Sequence, residues 1–486
     1  MNTPLRRLAT VVVGMFVVLM GGATWVQFVQ ADSLNNDGRN VRTLYREFGR
    51  ARGPIVVAGE AVASSAPVDD AFKYQRSYAN GELYAPVTGF YSIVHRGTML
   101  EQAENDVLNG QADSLFLSRL QDLITGKQPQ GSSIETTINP AAQQAAWDAL
   151  GDQRGAVVAL DPATGAILAL VSKPSFDPNQ LATHDSAAAN AAYQALVAAE
   201  GDPLENKAIQ GPTYPPGSTF KLITAAAALE SGRATPESVL TAPDELALPQ
   251  TSATVKNYGG SSCGSGGQTT LADALRVSCN TAFAQLGIDL GADALREQAE
   301  DFGFNNAEQV VPMRVAPSRF PDEVNAPNTA FSALGQYSVT ATPLEMAMVS
   351  AAIANEGELM EPYLVQTVRT ADLDVVREAE PRRQSQAVSP TTAAALRDMM
   401  VGVVENGSGK AAQISGVQVA GKTGTAQTGR EDESPHAWFT SFAPADAPRV
   451  AVAVVVENGG AVGNEATGGR VAAPIAKAVI EAVLGQ

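Results

Sequence analysis

The chain has 486 residues, 33 basic against 51 acidic, a formal net charge of −18, and 45% hydrophobic residues. That length holds two or three domains with enough apolar content for a core in each, which excludes disorder as the default. The acidic balance excludes a nucleic-acid binder working through a broad basic face, while leaving room for a local cationic pocket.

No charged residue occurs over 8–31, where the run LATVVVGMFVVLMGGATWVQFV is long enough to cross a bilayer as a helix of about 20 apolar residues. Arg6 and Arg7 precede it, so the positive-inside rule makes residues 1–7 a short cytoplasmic tail and places everything after Asp32 outside. A cleaved signal peptide competes with this. The apolar run exceeds an ordinary signal core and Ala31 makes a poor cleavage site, so an uncleaved single-pass anchor in the cell membrane is expected.

Residues 32–150 mix short apolar runs with polar turns. A strand is expected over 54–58, turn and strand over 85–94, and helix over 99–124. Arg39, Arg42 and Arg46 read as one face of a juxtamembrane helix. No catalytic constellation occurs there, so the region reads as a pedestal that holds the rest away from the membrane.

From residue 141 a helix runs to Leu150, and GAVVAL, a turn over 161–165 and AILALVS form an antiparallel hairpin. Residues 173–213 look loop-rich, with a short helix near 187–199. A helix then opens at Ser218 and stops at Gly232. Thr342, Pro343 and Glu345 give a capping-box start to a helix stopped by Gly357, and Ser389 with Pro390 opens another that ends near Asn406 and Gly407. Strands follow over 417–426, 436–443 and 449–457, then a helix over 469–484. The order predicts an α+β (mixed α/β) domain over 151–486, an antiparallel five-stranded sheet with helices on both faces, beside the smaller α+β pedestal.

The chemistry concentrates in YPPGSTFK over 214–221. Residues three apart share a helix face, so Lys221 lies one turn above Ser218, where its amine can take the serine proton. A capping serine and a snorkelling lysine would show the same spacing. Of nine lysines, however, only Lys221 has a serine three positions earlier. Ser278, Cys279 and Asn280 set a hydroxyl beside an amide. Lys422, Thr423 and Gly424 set an ammonium and a hydroxyl beside a glycine that lets substrate approach a strand. Alone each is weak: Ser33, Leu34 and Asn35 repeat the S-x-N form in linker, and an edge-strand surface lysine gives K-T-G.

Three other motifs compete. GVQVAGKT over 416–423 fits the P-loop of NTPases, but its strand lies inside the motif and GTAQTG, not a helix, follows the lysine. GSSCG over 260–264 fits a nucleophile elbow, yet the surrounding glycines make it a loop. His95, His184 and His436 are the only histidines, widely spaced, which argues against a metal enzyme. Cys263 and Cys279 are the only cysteines. Outside the membrane a disulfide is the economical reading, with two buried thiols as the alternative.

In this order, S-x-x-K, S-x-N and K-T-G are the signature set of penicillin-binding proteins and serine β-lactamases. With Arg52 and Gly53, TTINPAAQQAAWDAL, GAVVALDPATGAILALVSKPSFDPN, TPLEMA, VAGKTGTAQ and HAWFTSFAP, the chain resembles class B penicillin-binding proteins. YAPVTGFYS and the modest length look most like the actinobacterial type.

The resemblance implies a transpeptidase domain of the D,D-peptidase and β-lactamase fold over 151–486, with no cofactor and no metal. It implies a D,D-transpeptidase that cross-links peptidoglycan stem peptides ending in D-Ala-D-Ala and is blocked by β-lactams. Ser218 would be the nucleophile and a neutral Lys221 its base. Lys422, Thr423 and Thr425 would hold the substrate carboxylate, Ser278 would relay a proton, and Asn280 would hold Lys221 and the substrate amide. The N–H groups of Ser218 and Thr425 would form the oxyanion hole.

A glycan polymerase of the SEDS glycosyltransferase type would be the membrane partner. A β-lactamase, a β-lactam sensor and a D,D-carboxypeptidase share the motifs. The first needs a deacylating base not evident here, the second a cytoplasmic signalling segment, and the third differs only in using water as acceptor.

Overall fold

The computed structural model of the chain describes residues 2–35, 41–112, 130–430 and 433–485. A helix spans Asn2–Thr24 and continues as a π-helical turn over Trp25–Val29. The apolar span Thr3–Val29 is exposed throughout, as a single-pass membrane anchor would be. Helix begins before Arg6, where Pro4 in the first turn costs no hydrogen bond.

The juxtamembrane helix Val41–Phe48 docks by its aromatics: Phe48 stacks on Tyr91 at 4.5 Å and Tyr45 on Phe72 at 5.3 Å. Arg39 and the side chains of Arg42 and Arg46 lie outside the described residues.

The pedestal is built on a six-stranded sheet in the order Val375–Glu378, Val365–Arg369, Ser133–Thr136, Ile55–Val57, Glu60–Pro67, Tyr74–Tyr78. Only the pairing of Ile55–Val57 with Ser133–Thr136 is parallel. Two of these strands come from far inside the second half of the chain, so the pedestal sheet is not closed by residues 32–150 alone. Conversely, the helix Pro140–Leu150 buries Ala142, Ala146 and Leu150 in the core of the catalytic sheet.

Where turn and strand were expected over 85–94, Gly81–Thr88 is a helix and only Tyr91–Ser92 is extended. Pro86 inside it removes the N–H that would bond the Glu82 carbonyl, and Ser175 Oγ donates to that carbonyl instead, at 2.7 Å. Burial of Leu83 to Thr88 then outweighs the β-like composition. Over 99–124 the described helices are Met99–Ala103 and Asn105–Leu108, and residues 113–129 lie outside the description.

The second sheet has five antiparallel strands in the order Ala420–Ala426, His436–Ala443, Val450–Val456, Gly155–Leu160, Ile167–Lys173, as expected. Its strands are largely buried on both faces. Ala451, Ala453 and Val455 enter one core with Trp438 and Phe442, while Val450, Val452, Val454 and Val456 enter the other with Phe439. The second core is covered by Pro140–Leu150 and Gly468–Leu484. The first is covered by a helical layer that includes Lys221–Glu230, Pro343–Ala354 and Pro390–Asn406.

The capping box at residue 342 is half formed. Thr342 Oγ1 accepts from Glu345 N at 3.1 Å, but Thr342 N donates to Ser318 Oγ. The Glu345 carboxyl is buried, and burial pushes it up to about 8.

In the pedestal, Arg52 and Arg76 grip the fully buried Glu101 from both sides, Nε to Oε2 at 2.5 Å and Nε to Oε1 at 2.6 Å, and Tyr78 donates to Oε1 at 3.1 Å. Burial alone would push Glu101 up, and the two guanidiniums outweigh it, holding the carboxylate below its usual range. A depressed carboxylate contributes stability above its unfolded value that is lost as pH falls through the folded one. Glu101→Gln is therefore expected to cost about 3–5 kcal/mol at neutral pH and to flatten the acid limb of unfolding, measured by denaturant melts across pH. A neutral substitution effect would show that the triad is dispensable.

Candidate active site

The turn that carries Ser218, the expected nucleophile, is held from three sides. Gly217–Phe220 forms a 3₁₀ turn that runs directly into the helix Lys221–Glu230. Gly217 has φ +54°, and a Cβ there would come within 2.9 Å of the Thr425 carbonyl oxygen, so only glycine lets the turn lie against the edge strand. Gly217 N donates to the Gly335 carbonyl, and Tyr214 and Ala341 exchange backbone bonds behind it. Phe220, fully buried, stacks on Phe320 at 5.8 Å and meets Phe304 edge-on. Ser218 itself is half-buried, and its hydroxyl makes no hydrogen bond among the described residues.

Lys221 is fully buried. Its Nζ donates to the Ser278 carbonyl at 2.8 Å, to Asn280 Oδ1 at 2.8 Å and to Ser278 Oγ at 3.3 Å. Lys422, equally buried in the middle of the edge strand Ala420–Ala426, donates to the same Ser278 Oγ at 2.8 Å and to the Thr423 carbonyl at 2.9 Å. One hydroxyl thus lies between two amines that are 201 residues apart in the chain.

Ser278 is brought there by its backbone. It ends the helix Leu271–Val277 in the left-handed region, φ +61°, an uncommon conformation for serine that turns the chain so that Asn280 can begin the helix Asn280–Leu290. Cys279, between them, is bonded to Cys263 with Cα atoms 5.9 Å apart, so the disulfide expectation holds.

Burial, and secondly the charge of Lys422, push Lys221 well below the ordinary lysine range, and burial alone lowers Lys422 to about 7. For Lys221 both causes favour the neutral amine. Burial thus works against the expected cationic Lys422 in the unliganded cleft, and an entering carboxylate would favour its charge.

Two other expectations change. Pairing of Lys422 with Thr440 and of Thr423 with Phe439 puts Lys422 and Gly424 on the sheet face that carries the nucleophile turn, and Thr423 and Thr425 on the other. Thr423 is buried with its hydroxyl 2.6 Å from Ser408 Oγ, so it does not offer that hydroxyl freely to a ligand. Thr425 is half-buried at the open edge of the sheet. Gly424 is bare for a different reason than substrate approach: a Cβ would lie 2.9 Å from the Pro216 carbonyl oxygen and 3.0 Å from Thr219 Cγ2, against the nucleophile turn.

Two competing motifs lose their structural context. Lys422 lies inside a strand with no helix following it, and Cys263 of GSSCG lies in a loop and is bridged.

Residues outside the motifs also shape the cleft. Tyr214 OH donates to Glu457 at 2.6 Å, and its ring meets His436 and Trp438 edge-on, tying the segment before Ser218 to the neighbouring strands. Only the tertiary fold joins these positions, and no local pattern marks them.

A half-buried serine one turn before a buried lysine held below its ordinary range, beside a second buried lysine on an edge strand, fits a serine acyltransferase cleft. The family model of the penicillin binding protein transpeptidase domain matches residues 155–481, and that of the penicillin binding protein A dimerisation domain matches 52–134. The chain is 48% identical over 491 residues to the peptidoglycan D,D-transpeptidase PbpA of Mycolicibacterium smegmatis, covering 100% of this chain and 99% of that one. It is 30% identical to the peptidoglycan D,D-transpeptidase MrdA of Acinetobacter baumannii, over 79% of this chain and 63% of the relative. A ceftriaxone acyl-enzyme structure of penicillin-binding protein A from M. tuberculosis superposes with a TM-score of 0.87 at 48% identity, covering 90% of this chain and 100% of that one. This chain belongs to the penicillin-binding protein transpeptidase family.

Two outcomes follow from this geometry. Gly424→Ala should push the nucleophile turn off the strand and slow β-lactam acylation on the order of 10²-fold in a folded protein, read by stopped-flow; parental rates would show that the contact has slack. The acylation rate constant of the free enzyme should be bell-shaped in pH. It rises as Lys221 loses its proton and falls as Lys422 loses its own at about 7, so a flat profile up to the ordinary lysine range would contradict the pairing.

Proposed function

We propose that, in this peptidoglycan D,D-transpeptidase, Ser218 is the acylated residue and Lys221 the base that activates it. The observation that supports this best is the chain of contacts from Lys221 Nζ through Ser278 Oγ to Lys422 Nζ beside the nucleophile turn. Neutral Lys221 takes the Ser218 proton as Oγ attacks the carbonyl between the two terminal D-alanines of a stem peptide. The N–H groups of Ser218, at the free start of its turn, and of Thr425, on the open strand edge, receive the developing oxyanion.

Ser278 carries one proton and two acceptor lone pairs, so between the amines it can pass a proton to the leaving D-alanine amine as C–N breaks. Lys422 and Thr425 hold the terminal carboxylate. Asn280, whose Oδ1 serves Lys221 and whose Nδ2 donates to the Lys256 carbonyl at 3.0 Å, keeps its second amide hydrogen for the peptide. An amine of a neighbouring stem then displaces Ser218. A β-lactam enters the same steps and stays bound, because its leaving nitrogen remains tethered to the acyl group.

In this reading the anchor runs with its amino terminus in the cytoplasm, as Arg6 and Arg7 direct, and the catalytic domain outside. The pedestal, residues 32–150, stands between membrane and cleft, and the glycan strands come from a SEDS-type polymerase in the same membrane. Co-purification from detergent with such a polymerase is the test of that last part.

For the chemistry, a fluorescent penicillin should label the parent protein covalently and leave Ser218→Ala unlabelled. Lys221→Ala should label roughly 10²–10⁴-fold more slowly. Equal labelling of Ser218→Ala would mean the nucleophile lies elsewhere.

A further inference from the structure

The helix that carries Asn280 begins without a cap of its own. Its N-cap residue is Cys279, whose sulfur is committed to Cys263 and makes no capping bond. The first N–H groups of a helix have no partner within it. Here they are met by a side chain distant in sequence: Asn257 Oδ1 accepts from Asn280 N at 2.9 Å and from Thr281 N at 3.0 Å.

Asn257 is buried, and its Nδ2 lies within 3.1 Å of three acceptors, the carbonyls of Pro243 and Ser261 and the hydroxyl of Thr281. Thr281 Oγ1 in turn donates to the Pro243 carbonyl at 2.8 Å. These partners settle the amide's orientation, since the reverse would press an NH₂ against two N–H donors.

The preceding residue completes the grip. The Lys256 carbonyl accepts from Asn280 Nδ2 at 3.0 Å, which turns Asn280 Oδ1 toward Lys221 Nζ at 2.8 Å. Residues 256 and 257 therefore hold both the backbone and the amide of Asn280, and Asn280 is one of the three oxygen contacts that locate the Lys221 amine.

Resting on the assignment of Lys221 as base, we propose that Asn257 is a positioning residue for acylation. It touches no reacting atom and acts by fixing where the Asn280 oxygen, and through it the Lys221 amine, stands relative to Ser218.

Two variants of the full-length protein test this, with benzylpenicillin as probe and binding separated from the acylation step. Asn257→Ala removes the cap and should lower the acylation rate constant about tenfold or more, with the pre-covalent dissociation constant within about twofold, because the carboxylate contacts at 422 and 425 are untouched. Asn257→Asp keeps an oxygen for the two N–H groups but sets a carboxylate within hydrogen-bond reach of Asn280 N. It should move the acid limb of the pH profile upward, since a nearby anion favours protonated Lys221.

A role confined to stability would lower the melting temperature and the fraction of labelled protein, leaving both the acylation constant of the labelled molecules and the limb at parental values. That result overturns the proposal. Should Asn257→Ala fail to fold, the limb of Asn257→Asp decides alone. Labelling that survives in Ser218→Ala would sink the nucleophile assignment, whereas lost labelling there with parental profiles in both Asn257 variants would sink only the positioning role.

Discussion

Two amines sharing one serine hydroxyl inside the protein is the arrangement on which the cleft depends. Each Nζ lies within about 3.3 Å of Ser278 Oγ, so the two cannot be more than about 6 Å apart. At an effective dielectric of about 20, two full charges at that separation repel by roughly 3 kcal/mol, the equivalent of about two pKa units. Added to desolvation, this makes the doubly charged state costly at neutral pH. The protein needs no acid partner to obtain a neutral lysine: like charge and burial suffice, and the hydroxyl between the amines gives the displaced proton somewhere to go.

That arrangement has to be held by elements far apart in the chain, and the catalytic sheet does the holding. Both of its faces are buried, so a slip of one residue in the edge strand would exchange Lys422 for Gly421 or Thr423 on the face that carries the Ser218 turn. Ladder register is thereby coupled to the position of one ammonium group. The Ser218 turn is matched to the same strand by two absent side chains, at Gly217 and Gly424, where a Cβ would press on the Thr425 carbonyl in the first case and on Trp438 Cβ and the Pro216 carbonyl in the second.

Much of this was readable before any coordinates. The five strands of the catalytic sheet are long and apolar and pair mostly with chain neighbours, and Ser218 and Lys221 are related by helical spacing alone, so local pattern carries the information. The pedestal resisted for the opposite reason. Its strands Ile55–Val57, Ser133–Thr136 and Val365–Arg369 have three to five residues and pair across large separations. The helix around Pro86 rests on tertiary burial of Leu83 to Thr88 and on a distant serine that supplies the missing donor.

In the site the same division applies. Residue types were legible, but the direction of the Thr423 hydroxyl depends on Ser408, the purpose of Gly424 depends on Pro216 and Thr219, and the charge of Lys422 depends on how completely it is buried. Each of those is a property of a contact rather than of a residue.

The crossing of the two halves also bears on how the protein works as a membrane enzyme. The strand Val365–Arg369 leaves the catalytic half between the helices Pro343–Ala354 and Pro390–Asn406, pairs with Ser133–Thr136, and is followed by Val375–Glu378 at the sheet edge, where Arg377 bonds Glu104 of the pedestal at 2.6 Å. A single linker would let the halves swing independently, but the return of Val365–Arg369 and Val375–Glu378 into the pedestal sheet resists that, because separating the halves would strip both strands from it. The pedestal sheet is thus tied to the catalytic half by strand pairing as well as by chain connection.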